Sequence, residues 1–159
     1  MPTDLAVWGG GPMDAGLHRV AVDEAGHVLY CRVSNPAAAA SWTAWDIIAV
    51  GATPRGDVAL AVADDTLGAL RIAYAAPDGA GGHAVRSLES ADGGAHWAAG
   101  AVVVAGLSQS PWVAADGTRV FYTRDGRVAE RTAPSGGAWG PEEIWSAAGP
   151  YASFRGIGV

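Results

Sequence analysis

The sequence predicts an all-β fold in which one structural unit is repeated along the chain. The 159 residues include 23 glycines and 9 prolines, and these turn-forming residues separate many short apolar runs. Short apolar runs bounded by turn residues are typical of strands. An arginine followed by valine or isoleucine recurs about every 50 residues, as Arg19, Arg71 and Arg119. A tryptophan follows each of these arginines, as Trp45, Trp97 and Trp139.

The first unit, over residues 4–51, contains four predicted strands. They lie at 4–8, 17–23, 27–33 and 46–50. Glu24-Ala25-Gly26 predicts a hairpin turn between the second and third strands, and Asn35-Pro36 ends the third strand. The alanine run at 37–40 is too short to nucleate a helix. We therefore expect it to be a connection to the fourth strand.

The second and third units repeat this pattern over residues 57–106 and 110–147. In the second unit the predicted strands are 57–63, 69–76, 83–89 and 100–105. In the third unit they are 110–115, 118–124, 127–133 and 142–146. Asp125-Gly126 predicts a tight hairpin turn of type I′. A further strand at 151–159 is expected to begin a fourth unit.

Four-stranded antiparallel units of this length are typical of β-propeller blades. The sequence therefore predicts one propeller-like domain over residues 1–159, with about three blades and a C-terminal strand. Three blades do not close a ring, and open sheet edges and apolar blade faces favour association. We expect a homo-oligomer, with a dimer favoured, in which residues 151–159 of each chain complete the partner's first blade. A truncated chain, an open array and a folded-back sandwich remain alternatives.

The charge and composition argue against several functional classes. The net charge is −6 and every basic residue is arginine, which argues against electrostatic binding of nucleic acid. The single cysteine, Cys31, can form neither an internal disulfide nor a cysteine zinc site. The four histidines are scattered without metal-ligand spacing, and we expect each to be a turn or surface residue. No metal or other cofactor is predicted.

The sequence contains no predicted membrane segment. Its longest apolar runs are shorter than the roughly 18 residues that a spanning helix needs. The first residues, Met1-Pro2-Thr3-Asp4-Leu5, lack the charged and apolar regions of a signal peptide. We therefore expect the chain to be cytoplasmic, or to be released or delivered as part of an assembled particle.

The stretch from Ser90 to Trp97 predicts a tight turn closed by an aromatic residue. Asp92 can bond to nearby backbone N–H groups, and Gly94 can adopt a positive φ. The spacing Ser-x-Asp-x-Gly-x-x-Trp resembles the Asp-box of sialidase-type β-propellers. In that family the box joins the third and fourth strands of a blade. The resemblance implies a structural turn made by Ser90, Asp92, Gly94 and Trp97.

The third unit also resembles the fucose-binding propeller lectins of fungi and bacteria. The matching segments are Arg119-Val120-Phe121-Tyr122, Gly126-Arg127-Val128-Ala129-Glu130 and Gly136-Gly137-Ala138-Trp139. In that family an arginine and a glutamate bond the sugar, and an aromatic ring stacks on it. The resemblance implies that Arg119, Glu130 and Trp139 bind a fucose-like glycan.

The other two units match this lectin pattern less completely. Arg71 and Trp97 are the corresponding candidates in the second unit, where Ser87 or Glu89 takes the place of the glutamate. The candidates in the first unit are Arg19 and Trp45, with Tyr30 at the glutamate position. An alternative is that the three arginines are scaffold residues that pair with turn carboxylates or cover apolar blade edges.

The sequence leaves three possible functions, which we rank from the most to the least favoured. The first is a non-catalytic, lectin-like carbohydrate-binding module that acts as a homo-oligomer. The second is a structural or adhesion module of a phage or other particle, which binds protein. The third is a sialidase-like glycosidase, for which Tyr74, Tyr122, Asp64 and Glu89 are the right residue types. An exposed tryptophan beside arginine and glutamate would favour the lectin.

Overall fold

The computed structural model describes residues 3–8, 16–33, 42–64 and 68–145. These residues form twelve strands in three four-stranded sheets, which we call units one, two and three in chain order. No helix occurs in these four ranges, so none of their segments is a membrane-spanning helix.

The strands of each unit pair in sequence order, and every pair is antiparallel. Unit one contains β1 Thr3–Trp8, β2 Gly16–Val22, β3 His27–Val33 and β4 Asp46–Val50. Unit two contains β5 Val58–Asp64, β6 Ala69–Pro77, β7 His83–Ser90 and β8 Ala101–Leu107. Unit three contains β9 Val113–Asp116, β10 Arg119–Arg124, β11 Arg127–Thr132 and β12 Glu143–Ile144. The predicted all-β fold of repeated four-stranded units is therefore confirmed. The predicted closing strand at 151–159 lies outside the described residues.

Short aspartate turns close the hairpins. The Asp23 carboxylate accepts hydrogen bonds from the backbone N–H groups of Ala25 and His27, at 2.9 and 2.8 Å, between β2 and β3. The Asp78 carboxylate likewise accepts from the backbone N–H groups of Ala80 and Gly82 between β6 and β7. At the β10–β11 turn, Asp125 and Gly126 have φ values of 49° and 72°, as a type I′ turn requires. These local interactions set the register of each hairpin.

The units pack face to face, and unit two is the central layer. Between units one and two lies an apolar cluster to which Val20, Val22 and Tyr30 contribute from one side. The other side of that cluster includes Ile72 and Tyr74 of β6. A second cluster lies between units two and three, and it includes Ala73, Val85, Val120 and Tyr122. Because β6 is covered on both faces, its residues from Ala69 to Ala76 are all buried.

The side chains of unit one alternate out of step with the sequence repeat. Ile72 of unit two faces unit one, and the equivalent Val120 of unit three faces unit two. In the sequence repeat, Ile72 and Val120 align with Val20. If Val20 faced the same way as they do, it would point away from unit two. Val20 instead packs against unit two. Because successive side chains point to opposite faces, this one-residue difference places Arg19 on the face of unit one that is turned away from unit two.

Candidate functional site

The turn from Ser90 to Trp97 is held by the side chains of Ser90 and Asp92. The Ser90 hydroxyl donates to Asp92 at 2.8 Å and accepts from the backbone N–H of Gly94 at 2.8 Å. Asp92 also accepts from the backbone N–H groups of Ala95 and His96, at 3.1 and 2.9 Å. Burial by itself would raise the pKa of Asp92, but the hydrogen bonds from His96 and Ser90 outweigh it and lower the pKa to about 2. The four predicted turn residues thus lie together at the end of β7.

This turn is also part of the contact between units one and two. Gly94 has a φ of +85°, and a Cβ atom there would lie 1.9 Å from the Tyr30 hydroxyl oxygen. The Trp97 ring packs edge-on against the Tyr30 ring, with 5.0 Å between centroids. Trp97 therefore contacts the preceding unit, and its indole nitrogen is buried without a hydrogen-bond partner among the described residues.

Gly94→Ala is expected to destabilise the protein by about 2 to 3 kcal/mol more than Gly79→Ala. Gly79 is a matched control because its φ is +82° and a Cβ atom there would have no neighbour within 4 Å. Both substitutions strain the backbone, but only the first collides with Tyr30. Urea unfolding followed by circular dichroism measures the difference, and equal losses would show that the contact with Tyr30 is dispensable.

A buried polar group accompanies Trp97 between units one and two. His18 is 2% exposed, and its Nδ1 lies 2.6 Å from the hydroxyl oxygen of Tyr30. The Tyr30 hydroxyl and Arg32 both donate to the carbonyl oxygen of Gly93, at 3.4 and 2.8 Å. Burial, and secondarily the charge of Arg32, lowers the pKa of His18 to about 4. The expectation that every histidine lies in a turn or on the surface is wrong for His18.

Arg71 holds the corresponding place between units two and three and is fully buried. Its Nε and Nη2 donate to one carboxylate oxygen of Glu89, at 3.0 and 2.5 Å. Its remaining N–H groups point to three carbonyl oxygens of unit three, those of Gly117, Ala133 and Pro134. The guanidinium lies 4.7 Å from the centre of the Trp139 ring.

These contacts show what Arg71 does. These five hydrogen bonds use as many donors as a guanidinium has. The second carboxylate oxygen of Glu89 accepts from the backbone N–H of Gly136 at 2.7 Å. Arg71 and Glu89 therefore link two units, and Arg71 in this geometry has no donor left for a ligand. Trp139, which the sequence groups with Arg119 and Glu130, lies with Arg71 instead.

Arg119 and Glu130 lie on the face of unit three that is turned away from unit two. Arg119 donates to Asp116 through Nε at 3.0 Å and Nη2 at 2.5 Å, and it lies 5.3 Å from the centre of the Phe121 ring. Glu130 pairs directly across from Phe121 in the sheet. The Phe121 ring also meets the ring of Trp145 edge-on, with 5.6 Å between centroids. We call these five residues the unit-three cluster.

The unit-three cluster has both an accessible ring and an unused acceptor. Trp145 is 59% exposed, whereas Glu130 is only 7% exposed. Oε2 of Glu130 is buried and has no hydrogen-bond partner in the described part of the chain. Hydrogen bonding to Asp116, together with the charges of Asp116 and Glu130, raises the pKa of Arg119. The sequence analysis did not group Trp145 with Arg119 and Glu130, although its alternation with Ile144 at the end of β12 places it on this face.

Arg19 and Trp45 do come together, on the face of unit one that is turned away from unit two. The Arg19 guanidinium lies 5.2 Å from the Trp42 ring and 5.6 Å from the Trp45 ring. The two tryptophans are 37% and 38% exposed, and Ile47 beside them is also exposed. These residues therefore combine one cation with partly exposed apolar side chains.

The candidate tyrosine nucleophiles are buried and held in the neutral form. The Tyr122 hydroxyl donates to Glu142 at 2.5 Å, and both oxygens of Glu142 accept from Arg124. Burial, and then the contact with Glu142, raises the pKa of Tyr122. Burial also raises the pKa of Tyr74. Tyr122 therefore has an adjacent carboxylate base, but a nucleophile must also reach its substrate, and in this geometry both phenols are buried, Tyr122 at 0% and Tyr74 at 3% exposure. The side chain of Asp64 lies outside the described residues.

The described residues contain no group of three or more His, Cys, Asp or Glu side chains placed to hold a metal ion. No protein-family model matches the sequence, and no curated protein shows significant similarity to it.

Two solved structures are similar to the chain. The BP39L lectin from Burkholderia pseudomallei superposes with a TM-score of 0.65 at 18% identity, covering 92% of this chain and 41% of the lectin. The NanB sialidase from Streptococcus pneumoniae gives a TM-score of 0.60 at 13% identity, covering 86% of this chain and 22% of the sialidase. Both are β-propeller proteins, so the three units have the fold of propeller blades. The chain spans less than half of either structure.

Proposed function

We propose that this protein is a non-catalytic, lectin-like carbohydrate-binding module that acts as a homo-oligomer, with a dimer favoured. The observation that carries the proposal is the unit-three cluster, in which an exposed indole lies on the same face as a charged donor and an unused acceptor. Sugars present hydroxyl groups to polar side chains and an apolar C–H face to aromatic rings. The similarity in fold to a lectin supports this reading.

Three members of the cluster have a defined part in the proposed site. Glu130 Oε2 accepts a sugar hydroxyl, which relieves the cost of a buried acceptor without a partner. Arg119 is partly exposed and donates to a second hydroxyl. Trp145, rather than Trp139, supplies the stacking ring. A fucose-like sugar is the first candidate because of the sequence resemblance of this unit.

We also infer that the turn from Ser90 to Trp97 is an Asp-box with a structural role. Its support is the set of hydrogen bonds from Ser90, Gly94, Ala95 and His96 that converge on two side chains. The adjacent contact between Trp97 and Tyr30 ties the turn to unit one. The turn therefore contributes to fold stability, and we assign it no ligand.

A structural or adhesion module that binds protein is the second candidate function. It is favoured by exposed apolar side chains on the outermost strand of every unit: Ile47 and Val50 on β4, Val102 on β8 and Ile144 on β12. Such edge strands and patches are typical of protein contact sites. This module would bind no sugar, so a glycan array separates the two functions.

Trp145→Ala and Glu130→Gln are each expected to weaken glycan binding at least about tenfold, since one removes the stacking ring and the other the anionic acceptor. The glycan comes from an array screened with the wild-type chain, and titration calorimetry measures its affinity for each variant. Glu24→Gln, an exposed carboxylate in a turn of unit one, is the control and should bind as the wild type does. Full binding by both cluster variants would exclude this site.

A further inference from the structure

We propose that the unit-three cluster binds a sugar that carries a free amino group, and that Glu143 receives the ammonium. The inference rests on the proposed function, and it adds to it the charge of the ligand. Three observations carry it. Two carboxylates lie side by side in the sheet, one of them has a buried oxygen without a partner, and an exposed indole lies on the same face.

Glu143 lies directly opposite Glu130 in the sheet of unit three. The pairing of β11 with β12 places Ala129 against Ile144 and Glu130 against Glu143. Directly paired residues project from the same face, with their Cβ atoms about 5 Å apart. Two like charges in this position repel each other and destabilise the strand pair. A cation bound between the carboxylates would replace that repulsion by attraction.

The described part of the chain supplies no cation that pairs with both carboxylates. Arg119 donates two hydrogen bonds to Asp116, and the two charges of that ion pair cancel. Glu143 is exposed and forms no salt bridge with another described residue. Glu130 is 7% exposed, and its buried Oε2 has no hydrogen-bond partner among these residues. Because an unpaired buried acceptor costs free energy, this oxygen favours a ligand that brings a donor. Glu130 and Glu143 together leave two negative charges in excess.

The indole of Trp145 lies on the same face as both carboxylates. Trp145 comes two residues after Glu143, and the alternation of side chains along a strand places the two on one face. The backbone N–H of Trp145 donates to the carbonyl oxygen of Val128 at 2.8 Å, which continues the pairing beyond β12. Its ring is 59% exposed and meets the ring of Phe121, the residue paired with Glu130. An aromatic ring beside carboxylates is a combination that attracts ammonium groups.

A neutral sugar uses only part of this arrangement. Its hydroxyl groups bond to Glu130 and Arg119, and its ring stacks on Trp145, as in the proposed site. A protonated amine adds a charge-assisted hydrogen bond to Glu143, which is about twice as strong as a neutral one. The negative charge of Glu130 adds to that attraction. The site should therefore prefer an amino sugar over the same sugar with its amine acetylated.

Two oligosaccharides that differ in this charge test the preference. The glucosamine trimer carries free amines, and the N-acetylglucosamine trimer carries neutral amides in their place. Titration calorimetry at about pH 6, where the amines are protonated, should show the glucosamine trimer binding at least about tenfold more tightly. Added salt should weaken its binding more than that of the acetylated trimer, because salt screens exposed charges. Equal affinities for the two trimers would overturn the inference.

Glu143→Gln tests whether this carboxylate receives the amine. The substitution removes the charge with little change in shape, and it should reduce the preference to less than about threefold. Glu24→Gln removes one exposed carboxylate from unit one and should keep the full preference. This control separates a local contact from the general attraction of an acidic chain for a cation. Circular dichroism confirms that both variants are folded. A preference that survives in Glu143→Gln contradicts the assignment.

The same titrations separate failure of this inference from failure of the proposed function. If a neutral glycan binds in a way that depends on Trp145 and neither trimer binds, the amino-sugar inference is overturned and the lectin function stands. If no glycan of any kind binds, both are overturned. A lysine tripeptide carries amines without a sugar ring and should bind more weakly than the glucosamine trimer. Equal binding of the peptide, lost in Glu143→Gln, would overturn the inference in favour of a site for basic peptides.

Discussion

Replacing Arg71 with alanine is expected to lower the free energy of unfolding by about 3 to 5 kcal/mol, the usual cost of removing one partner from a buried ion pair. The substitution leaves Glu89 without its cation. It also leaves carbonyl oxygens of unit three without their donors, among them that of Ala133 at 2.9 Å. Trp139 loses the guanidinium over its ring. The interactions that are lost join units two and three, rather than strands within one sheet.

Urea unfolding of Arg71→Ala and the wild type measures this effect. Arg127→Ala is the matched control because Arg127 is exposed at the β10–β11 hairpin, and we expect it to change stability by less than about 0.5 kcal/mol. Arg71→Lys should fall between the two, since lysine keeps the charge but not the forked geometry. Removing Glu89 together with Arg71 should cost less than the sum of the two single changes. A loss below about 1 kcal/mol for Arg71→Ala would show that the buried pair does not hold the units together.

The strands and hairpins could be predicted because their signals are local. Asp125-Gly126 forms its turn from two adjacent residues, and Asp78 bonds to N–H groups within four positions of it. Neither interaction needs information from another unit. The four-stranded repeat follows from such turns and from the alternation of apolar residues between them. This is why the fold class emerges from one sequence without any relative.

The position of Trp139 relative to Arg119 and Glu130 could not be predicted from local signals of this kind. A repeat tells which unit a residue belongs to, but the face it occupies depends on the phase of the alternation. Trp139 and Arg119 lie on opposite faces of unit three, so the ring meets Arg71 instead. In unit one the phase differs by one residue, which turns Arg19 away from unit two. Aligning the three units on Arg19, Arg71 and Arg119 does not reveal this one-residue difference in phase.

His18 shows which signal was available and not used. It alternates with Val20 and Val22 along β2, and its cross-strand neighbour in β3 is Arg32. Residues in phase with two buried valines belong to the packed face, so the alternation places His18 inside. The bond from the Tyr30 hydroxyl to the backbone carbonyl of Gly93 could not be foreseen, since it depends on how unit two docks.

Acid is expected to destabilise the protein through His18. The pKa of His18 is about 4 in the folded protein and 6.5 for an ordinary histidine. Between these values the unfolded chain binds a proton that the folded chain does not, so stability falls as the pH falls from 6.5 to 4. Below pH 4 both states are protonated and this loss stops growing. The difference between these two pKa values corresponds to a loss of about 3 kcal/mol in the free energy of unfolding.

The unfolding free energies of wild type and His18→Gln, measured at pH 7.5 and pH 4, test this expectation. Glutamine can still bond to the Tyr30 hydroxyl but does not titrate, so the variant should lose about 3 kcal/mol less than the wild type between the two pH values. His96→Gln changes an exposed histidine and should retain the wild-type loss. The cause is the position of His18, which is 2% exposed and lies opposite Arg32 in the sheet, so that burial and the charge of Arg32 both oppose a second positive charge. If His18→Gln and the wild type lose equal stability on acidification, His18 is not the group that senses acid.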